Sequence, residues 1–309
     1  MRTLSATLLT LLCFTLCLPM AIGTAQAQEA APTELALKSM AQMYGYDNRF
    51  DLSGMQLKDG KTFVVADKDY NAAIYEVAFD SKGFKIVKEW SFQPSTVRDL
   101  ENIALDLEGL GYCGNTWYLI NESDNNVYSF SPDGGFSKVD IEYEAFGESR
   151  FNWLKNAGYE GIALDCEGGI LYLAKERQPR FLYKVELATG KMLIKAAIPE
   201  THSNDIADLF YENGFLYLLE RNGNYVTKVD ARTFEIVAEV SYREICSNPA
   251  GKLYEPSKYG MAEALTLTED EIWIGIDNNG LPVSGHAAKE YKLTGSAPTI
   301  LRFQRPAGF

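Results

Sequence analysis

Five times along the chain an acidic residue opens a short apolar segment, and a second acidic residue closes the next segment 14 to 21 residues later. The openers are Asp51, Glu101, Glu160, Asp205 and Glu263; the closers are Asp67, Glu122, Glu176, Glu220 and Asp277. A strand-built unit recurring at about 40–50 residues cannot bury its own faces and must stack against copies of itself. That constraint predicts an all-β chain, a β-propeller whose blades repeat one sheet around an axis. Equivalent positions in successive blades then form a ring, and here the ring is carboxylate.

The segments between the acids read as four strands per unit. In the first unit Ser53–Leu57, Phe63–Ala66, Ile74–Phe79 and Phe84–Phe92 are separated by Lys-Asp-Gly, Asp-Tyr-Asn and Asp-Ser-Lys-Gly turns. The third unit repeats the pattern from Gly161 to Ile198, with glycine turns at Gly168-Gly169 and Gly190. Third strands alternate, as in Tyr183, Val185 and Leu187 against Lys184 and Glu186, which is the mark of a strand with one wetter face. The fifth unit stops after three strands, and one unpartnered strand-like segment, Leu35–Met40, precedes the first unit. Pairing that segment with the last blade closes the ring and removes an open edge. The expectation is five blades of four antiparallel strands, or six if Glu144–Asn156 hides a degenerate unit. Long connections at 143–159, 245–260 and 278–298 are of a length usually reserved for function.

The first 27 residues read as a signal peptide: Arg2 is basic, Leu8 to Ile22 is mostly apolar, and Ala25-Gln26-Ala27 is a small-x-small cleavage site. The expectation is one propeller domain over residues 28–309, periplasmic or secreted, with no membrane span. Cleavage leaves Cys113, Cys166 and Cys246, of which at most two can pair. Cys113 and Cys166 both fall between the first and second strands of adjacent units and are the better pair. The mature chain carries 28 basic against 42 acidic residues. Such a surface repels phosphate backbones and argues against nucleic acid as a partner.

Carboxylates converging on a channel raise one another's pKa and call for a shared cation. Asp51, Glu101, Glu160, Asp205 and Glu263 are the candidate metal ligands, and oxygen-only donors suit calcium. With His202 and His286 the only histidines, an imidazole-built zinc site has no material. The alternative use of these acids is capping turns within each blade. Glu176-Arg177 and Glu220-Arg221 stand at equivalent points after the second strands. They are candidates for binding a small anionic substrate through a bidentate arginine clamp, or for pairing only with each other. No G-x-S-x-G elbow, P-loop, H-E-x-x-H or dinucleotide fingerprint occurs. Where chemistry occurs, these residue types permit a metal-assisted hydrolysis of an ester or phosphoester, with Glu160 and Glu263 as candidate catalytic groups.

The runs Tyr159-Glu160-Gly161-Ile162-Ala163, Leu173-Ala174-Lys175-Glu176-Arg177, Asn204-Asp205-Ile206-Ala207, Leu219-Glu220-Arg221-Asn222-Gly223, Glu263-Ala264-Leu265 and Asp277-Asn278-Asn279 stand in register with one another. They resemble the exported phytase-like propellers described as having esterase-like activity, and the related SdiA-regulated proteins. The resemblance implies calcium at the channel mouth for some of Glu160, Asp205, Glu220, Glu263 and Asp277. Glu101 departs from it, being followed by Asn-Ile-Ala instead of Gly-Ile-Ala. Two functions stay open: a calcium-dependent hydrolase, and a non-enzymatic ligand- or protein-binding scaffold whose metal only stiffens the axis. A lactonase of the six-bladed type would need the sixth blade.

Overall fold

The computed structural model describes residues 32–91, 105–133, 135–146, 157–177, 179–198, 201–246, 252–255 and 261–309. The proposed signal peptide and Glu101 lie outside the described residues. The N-terminal strands are β1 (Thr33–Glu34) and β2 (Leu37–Gln42). Blade 1 is β3 (Leu52–Lys58), β4 (Lys61–Ala66), β5 (Ala73–Asp80) and β6 (Gly83–Ser91). Blade 2 is β7 (Leu107–Cys113), β8 (Thr116–Asn121), β9 (Asn126–Ser131) and β10 (Gly135–Lys138). Blade 3 runs β11 (Tyr159–Asp165), β12 (Ile170–Lys175), β13 (Phe181–Glu186) and β14 (Met192–Ala197). Blade 4 runs β15 (Asp208–Glu212), β16 (Phe215–Glu220), β17 (Tyr225–Asp230) and β18 (Ile236–Ser241). Blade 5 supplies β19 (Ala262–Leu267), β20 (Glu271–Ile276) and β21 (Thr299–Gln304), and β2 completes it.

The inner strands touch in the cycle β3, β7, β11, β15, β19 and back to β3. The molecule is therefore a five-bladed propeller. No sixth sheet occurs among the described residues, so the six-bladed alternative falls, and the lactonase reading that required it falls as well. As the incomplete fifth unit demanded, β2 runs antiparallel to β21 with Met40 opposite Leu301 and Gln42 opposite Thr299. One feature was not anticipated: β1 adds in parallel to the outer edge of blade 4, Thr33 opposite Val240. A single N-terminal segment thus covers the outer edges of two neighbouring blades.

The core divides into five clusters, one at each seam between blades. Second strands explain why, because side chains alternate between the two faces of a strand. In β4, Phe63 and Val65 pack toward blade 2 with Leu110, Trp117 and Leu119, whereas Val64 and Ala66 pack toward blade 5 with Trp273 and Ile300. In β12, Leu171 and Leu173 face blade 2 and Tyr172 and Ala174 face blade 4. These strands read as continuous apolar runs because both faces are buried, each fully buried leucine or valine contributing about 1.5–3 kcal/mol.

Near the axis the blades converge and leave no room for side chains between inner strands. A Cβ on Gly161 would lie 2.8 Å from the Leu209 backbone nitrogen, and one on Gly109 would lie 2.7 Å from the Glu160 carbonyl oxygen. Glycine at these two points is a packing requirement. Inner strands also carry bulges, between Leu52 and Gly54, Glu108 and Leu110, Tyr159 and Gly161, and Ala262 and Ala264. A bulge re-aims the side chains beside it, and these four sit at one end of the ring.

Candidate functional site

An inner strand begins where its antiparallel neighbour ends, so openers and closers meet at the same mouth. The backbone repeats there blade by blade: the amide nitrogens of Asp67, Glu122, Glu176 and Asp277 donate to the carbonyls of Asp51, Asp106, Gly158 and Met261. This ladder places the closers in register. It also corrects the openers. Ile162 pairs with Leu173 and Leu110 with Leu119, so the blade 2 residue equivalent to Glu160 is Glu108, in the run Glu108-Gly109-Leu110. Glu101 precedes this strand. By the same register Ser53, not Asp51, stands at the Glu160 position in blade 1, whereas blade 4 has no bulge and Asp208, opposite Leu219 as Gly161 is opposite Ala174, comes nearest to it in place of Asp205. Asp51 is instead the counterpart of Asp106, two residues earlier.

These five inner-strand residues divide by what they touch. Ser53 donates its hydroxyl to the Leu107 carbonyl, joining blades 1 and 2. Asp208 accepts from the Leu209 and Leu265 amides at 2.8 and 2.7 Å, joining blades 4 and 5. Glu108, Glu160 and Glu263 instead face a cavity of about 320 Å³ at the mouth. Nine carboxylates line this cavity, namely those three with Asp51, Asp67, Asp106, Glu122, Glu176 and Asp277, against three basic side chains, Lys68, Arg177 and Arg221. Burial, then the neighbouring Glu122, holds the Glu160 carboxyl well above the usual range. Burial and then Glu160 do the same for Glu108, and burial and then Asp51 for Asp277. Burial pushes Asp67 up to about 7 despite the Lys68 ammonium beside it.

The cations are unequally used. Arg221 is buried and bridges three carboxylates, Glu263 at 2.5 Å, Asp205 at 3.2 Å, and Glu176. Arg177 pairs with the same Glu176 oxygen, Oε1, that Arg221 contacts. The structure therefore engages Arg221 as an internal counter-ion and leaves it little to offer an incoming anion. Asp205, fully buried, is further held by Asn222 and Ser203 and does not line the cavity. Glu220 is also turned away. It accepts from Thr201 and Thr227 hydroxyls and from the His202 and Ser203 amides, and so anchors the 201–203 segment. Strand register also separates it from Glu176: Leu218 pairs with Leu209 as Leu173 pairs with Ile162, so Arg221 stands at the Glu176 position in blade 4 and Glu220 at that of Lys175, a correction to the sequence equivalence.

Blades 1 to 3 differ. Asp67, Asp106 and Glu108 bring carboxylate oxygens within 4.8 Å of one another, and Glu122, Glu160 and Glu176 form a second such trio. Each trio contains a buried oxygen with no hydrogen-bond donor, Asp67 Oδ1 in the first and Glu176 Oε2 in the second. Leaving a buried carboxylate oxygen unpaired costs several kcal/mol unless a cation meets it. No histidine or cysteine is in the lining, so the donor set fits a hard cation of the calcium type and not zinc. Sequence reasoning missed Asp106 and Glu108 because Glu101-Asn-Ile-Ala imitates the Glu160 motif; the Glu-Gly pair at 108–109 was the available signal. At the opposite ends of the inner strands, Cys113 and Cys166 form a disulfide between blades 2 and 3.

A model of the phytase-like family, described as esterase-like activity of phytase, matches residues 51–280. The chain belongs to the phytase-like family. The matched span of this phytase-like chain opens on Asp51 and closes just after Asp277, and so contains every carboxylate of the mouth. A comparison with curated proteins finds no match. Among solved structures, the glutaminyl cyclase of Myxococcus xanthus is similar with a TM-score of 0.55 at 12% identity, over 88% of this chain and 98% of that one. A gluconolactonase of Xanthomonas campestris has a TM-score of 0.47 at 10% identity, over 82% of this chain and 72% of its own. At 12% identity the likeness to the glutaminyl cyclase shows the fold alone.

Proposed function

We propose that this phytase-like propeller holds calcium at its axial mouth and hydrolyses a phosphoester or related ester of a small anionic molecule. The observation that carries the reading is the pair of buried, donorless carboxylate oxygens, Asp67 Oδ1 and Glu176 Oε2, one in each acidic trio. Bound there, calcium would supply positive charge to the oxygens of the scissile group and to an attacking water. Asp67, Asp106 and Glu108, and Glu122, Glu160 and Glu176, would hold it. Asp51, at the blade 1 edge of the same cavity, would complete the acidic surround.

The chain's own groups divide the remaining work. Glu160, whose burial keeps a proton on it well above the usual carboxylate range, would hold or release that proton as the charge beside it changes. Glu263 keeps Oε1 on Arg221, which orients it, and its donorless Oε2 would serve as a proton acceptor. Arg177 at the rim would steady the substrate's anionic group. The amino-terminal segment and the Cys113–Cys166 disulfide support export to an oxidising compartment. Turnover of p-nitrophenyl phosphate and p-nitrophenyl acetate, with calcium and after chelation, tests the reading. Calcium-dependent turnover lost in Glu160→Gln is expected; equal turnover by the variant would refute it.

A scaffold reading draws on a different observation. Arg221 already neutralises the blade 3 to 5 side of the ring through Glu176, Asp205 and Glu263, as a purely structural axis would require. Calcium-dependent melting with no turnover on either ester class would favour it.

A further inference from the structure

Beside the acidic mouth lies a second cavity, of about 370 Å³, lined by residues 46–50 on one side and by Gly280 and residues 294–298 on the other. The two cavities share a wall. Asp51 and Asn279 face the mouth, while their neighbours Arg49 and Gly280 face the side cavity. Arg49 spans the divide, its Nε donating to Asp51 Oδ1 at 2.5 Å and its Nη2 reaching Asn279 Oδ1 at 3.5 Å. Gly280 makes room for this. Its φ is +69°, and a Cβ there would meet the Arg49 Cδ at 3.3 Å, so the backbone passes flat beneath the guanidinium.

We propose that Arg49 and the side cavity form an oxyanion-binding subsite that seats a carboxylate or phosphate of the substrate remote from the scissile bond. As a substrate subsite it rests on the hydrolase reading above; as an anion site it does not. Electrostatics selects the place. Nine carboxylates repel an anion from the mouth, and Arg221 is engaged by Glu176 and Glu263 of that set and by Asp205 behind them. Arg49, by contrast, has a side chain 43% exposed, and among the described residues its Nη1 has no hydrogen-bond partner. A guanidinium fork with unused N–H groups is the geometry that recognises carboxylate and phosphate. The cavity supplies further donors, since Asn48, Thr294 and Ser296 line it and none has its side-chain polar atoms in a hydrogen bond. Among the described residues the only acid lining it is Asp47. Asp51 does not cancel the site, because its carboxylate is shared with Lys68, 3.7 Å away. The two cavities side by side would let the mouth work on one end of a substrate while Arg49 holds the other.

The test uses the full mature protein after chelation, when the mouth repels anions and phosphate binding reports the side cavity alone. Inorganic phosphate is titrated calorimetrically into wild type, Arg49→Gln and Ser296→Trp. Because Arg49→Gln removes the partner of a buried Asp51, melting curves accompany it. Ser296→Trp fills the cavity from an exposed position and leaves that pair intact. Wild type should bind phosphate, and each variant should bind it about tenfold more weakly, the loss of one charge-assisted contact. With calcium restored, both variants should raise KM for an ester bearing a second carboxylate and leave KM for a neutral ester unchanged. No phosphate binding by the chelated wild type, or binding by both variants as tight as that of wild type, overturns the subsite. Variant-sensitive phosphate binding with no turnover on any ester would keep the anion site and remove the hydrolase reading.

Discussion

Arg221 is the strongest single constraint on the mouth, and replacing it gives a sharp prediction. Its guanidinium lies 2.5 Å from Glu263 and 3.2 Å from Asp205 and contacts Glu176, with the side chain 13% exposed. Arg221→Met keeps most of the volume and removes the charge, leaving three buried carboxylates facing one another. Breaking a buried pair from one side costs about 3–5 kcal/mol. For a domain of this size 1 kcal/mol moves the melting temperature by roughly 2–4 °C, so the expected fall is roughly 6–20 °C at neutral pH. The loss should shrink toward about pH 5, because the orphaned carboxylates take up protons and so discharge the repulsion. Calcium should also restore part of the stability by entering the vacated acidic pocket. Calorimetric melting at two pH values, with calcium and after chelation, reads all three effects. A variant that melts with wild type at neutral pH in chelator would refute the claim that this arginine neutralises the ring.

Other consequences are independent of that one. Asp67 is raised to about 7 in the folded state, so its contribution to stability is complete below the unfolded value of about 4 and is lost as pH rises through about 7. The chelated protein should therefore melt lower near pH 8 than near pH 5, and calcium should weaken or reverse that trend; a flat profile in chelator would contradict it. Glu160→Gln should abolish turnover and yet leave the chelated protein as stable as wild type or more so, since it removes a buried charge among like charges. A large destabilisation there would show a structural carboxylate instead. The Cys113–Cys166 bridge closes a loop of 53 residues in sequence separation. Its Cys113→Ser, Cys166→Ser double variant should lose about 2–4 kcal/mol in urea unfolding, with turnover at the opposite mouth intact.

Much of the architecture could be read from the chain because propeller physics is repetitive. Second strands such as Phe63–Ala66 and Leu171–Ala174 are apolar on both faces, and the lone segment before the first unit had to pair with the incomplete last one. The N-terminal parallel strand Thr33–Glu34 was invisible, since two residues carry no period. The site was legible in kind and misread in register. Carboxylates do converge on one mouth, and the closers of blades 1, 2, 3 and 5 were found, but in blade 4 the closing position is Arg221 and not Glu220, and a one-residue bulge and the Glu101 imitation hid Asp106 and Glu108. Nor could composition say which acids are spent: Glu220 and Glu176 each precede an arginine in sequence, yet strand register sets Glu220 at the Lys175 position, where Thr201, Thr227 and the 201–203 amides hold it. Arg49 escaped notice because it precedes the first repeat, and its value comes from Gly280, 231 residues later.

The central claim is that the two carboxylate trios share a divalent cation. Calcium titrated into chelated protein, wild type against an Asp67→Asn, Glu176→Gln double variant, addresses it directly. Wild type should take up calcium with a rise in melting temperature, and the double variant should show neither. Equal uptake by both proteins, or none by wild type, would contradict the account.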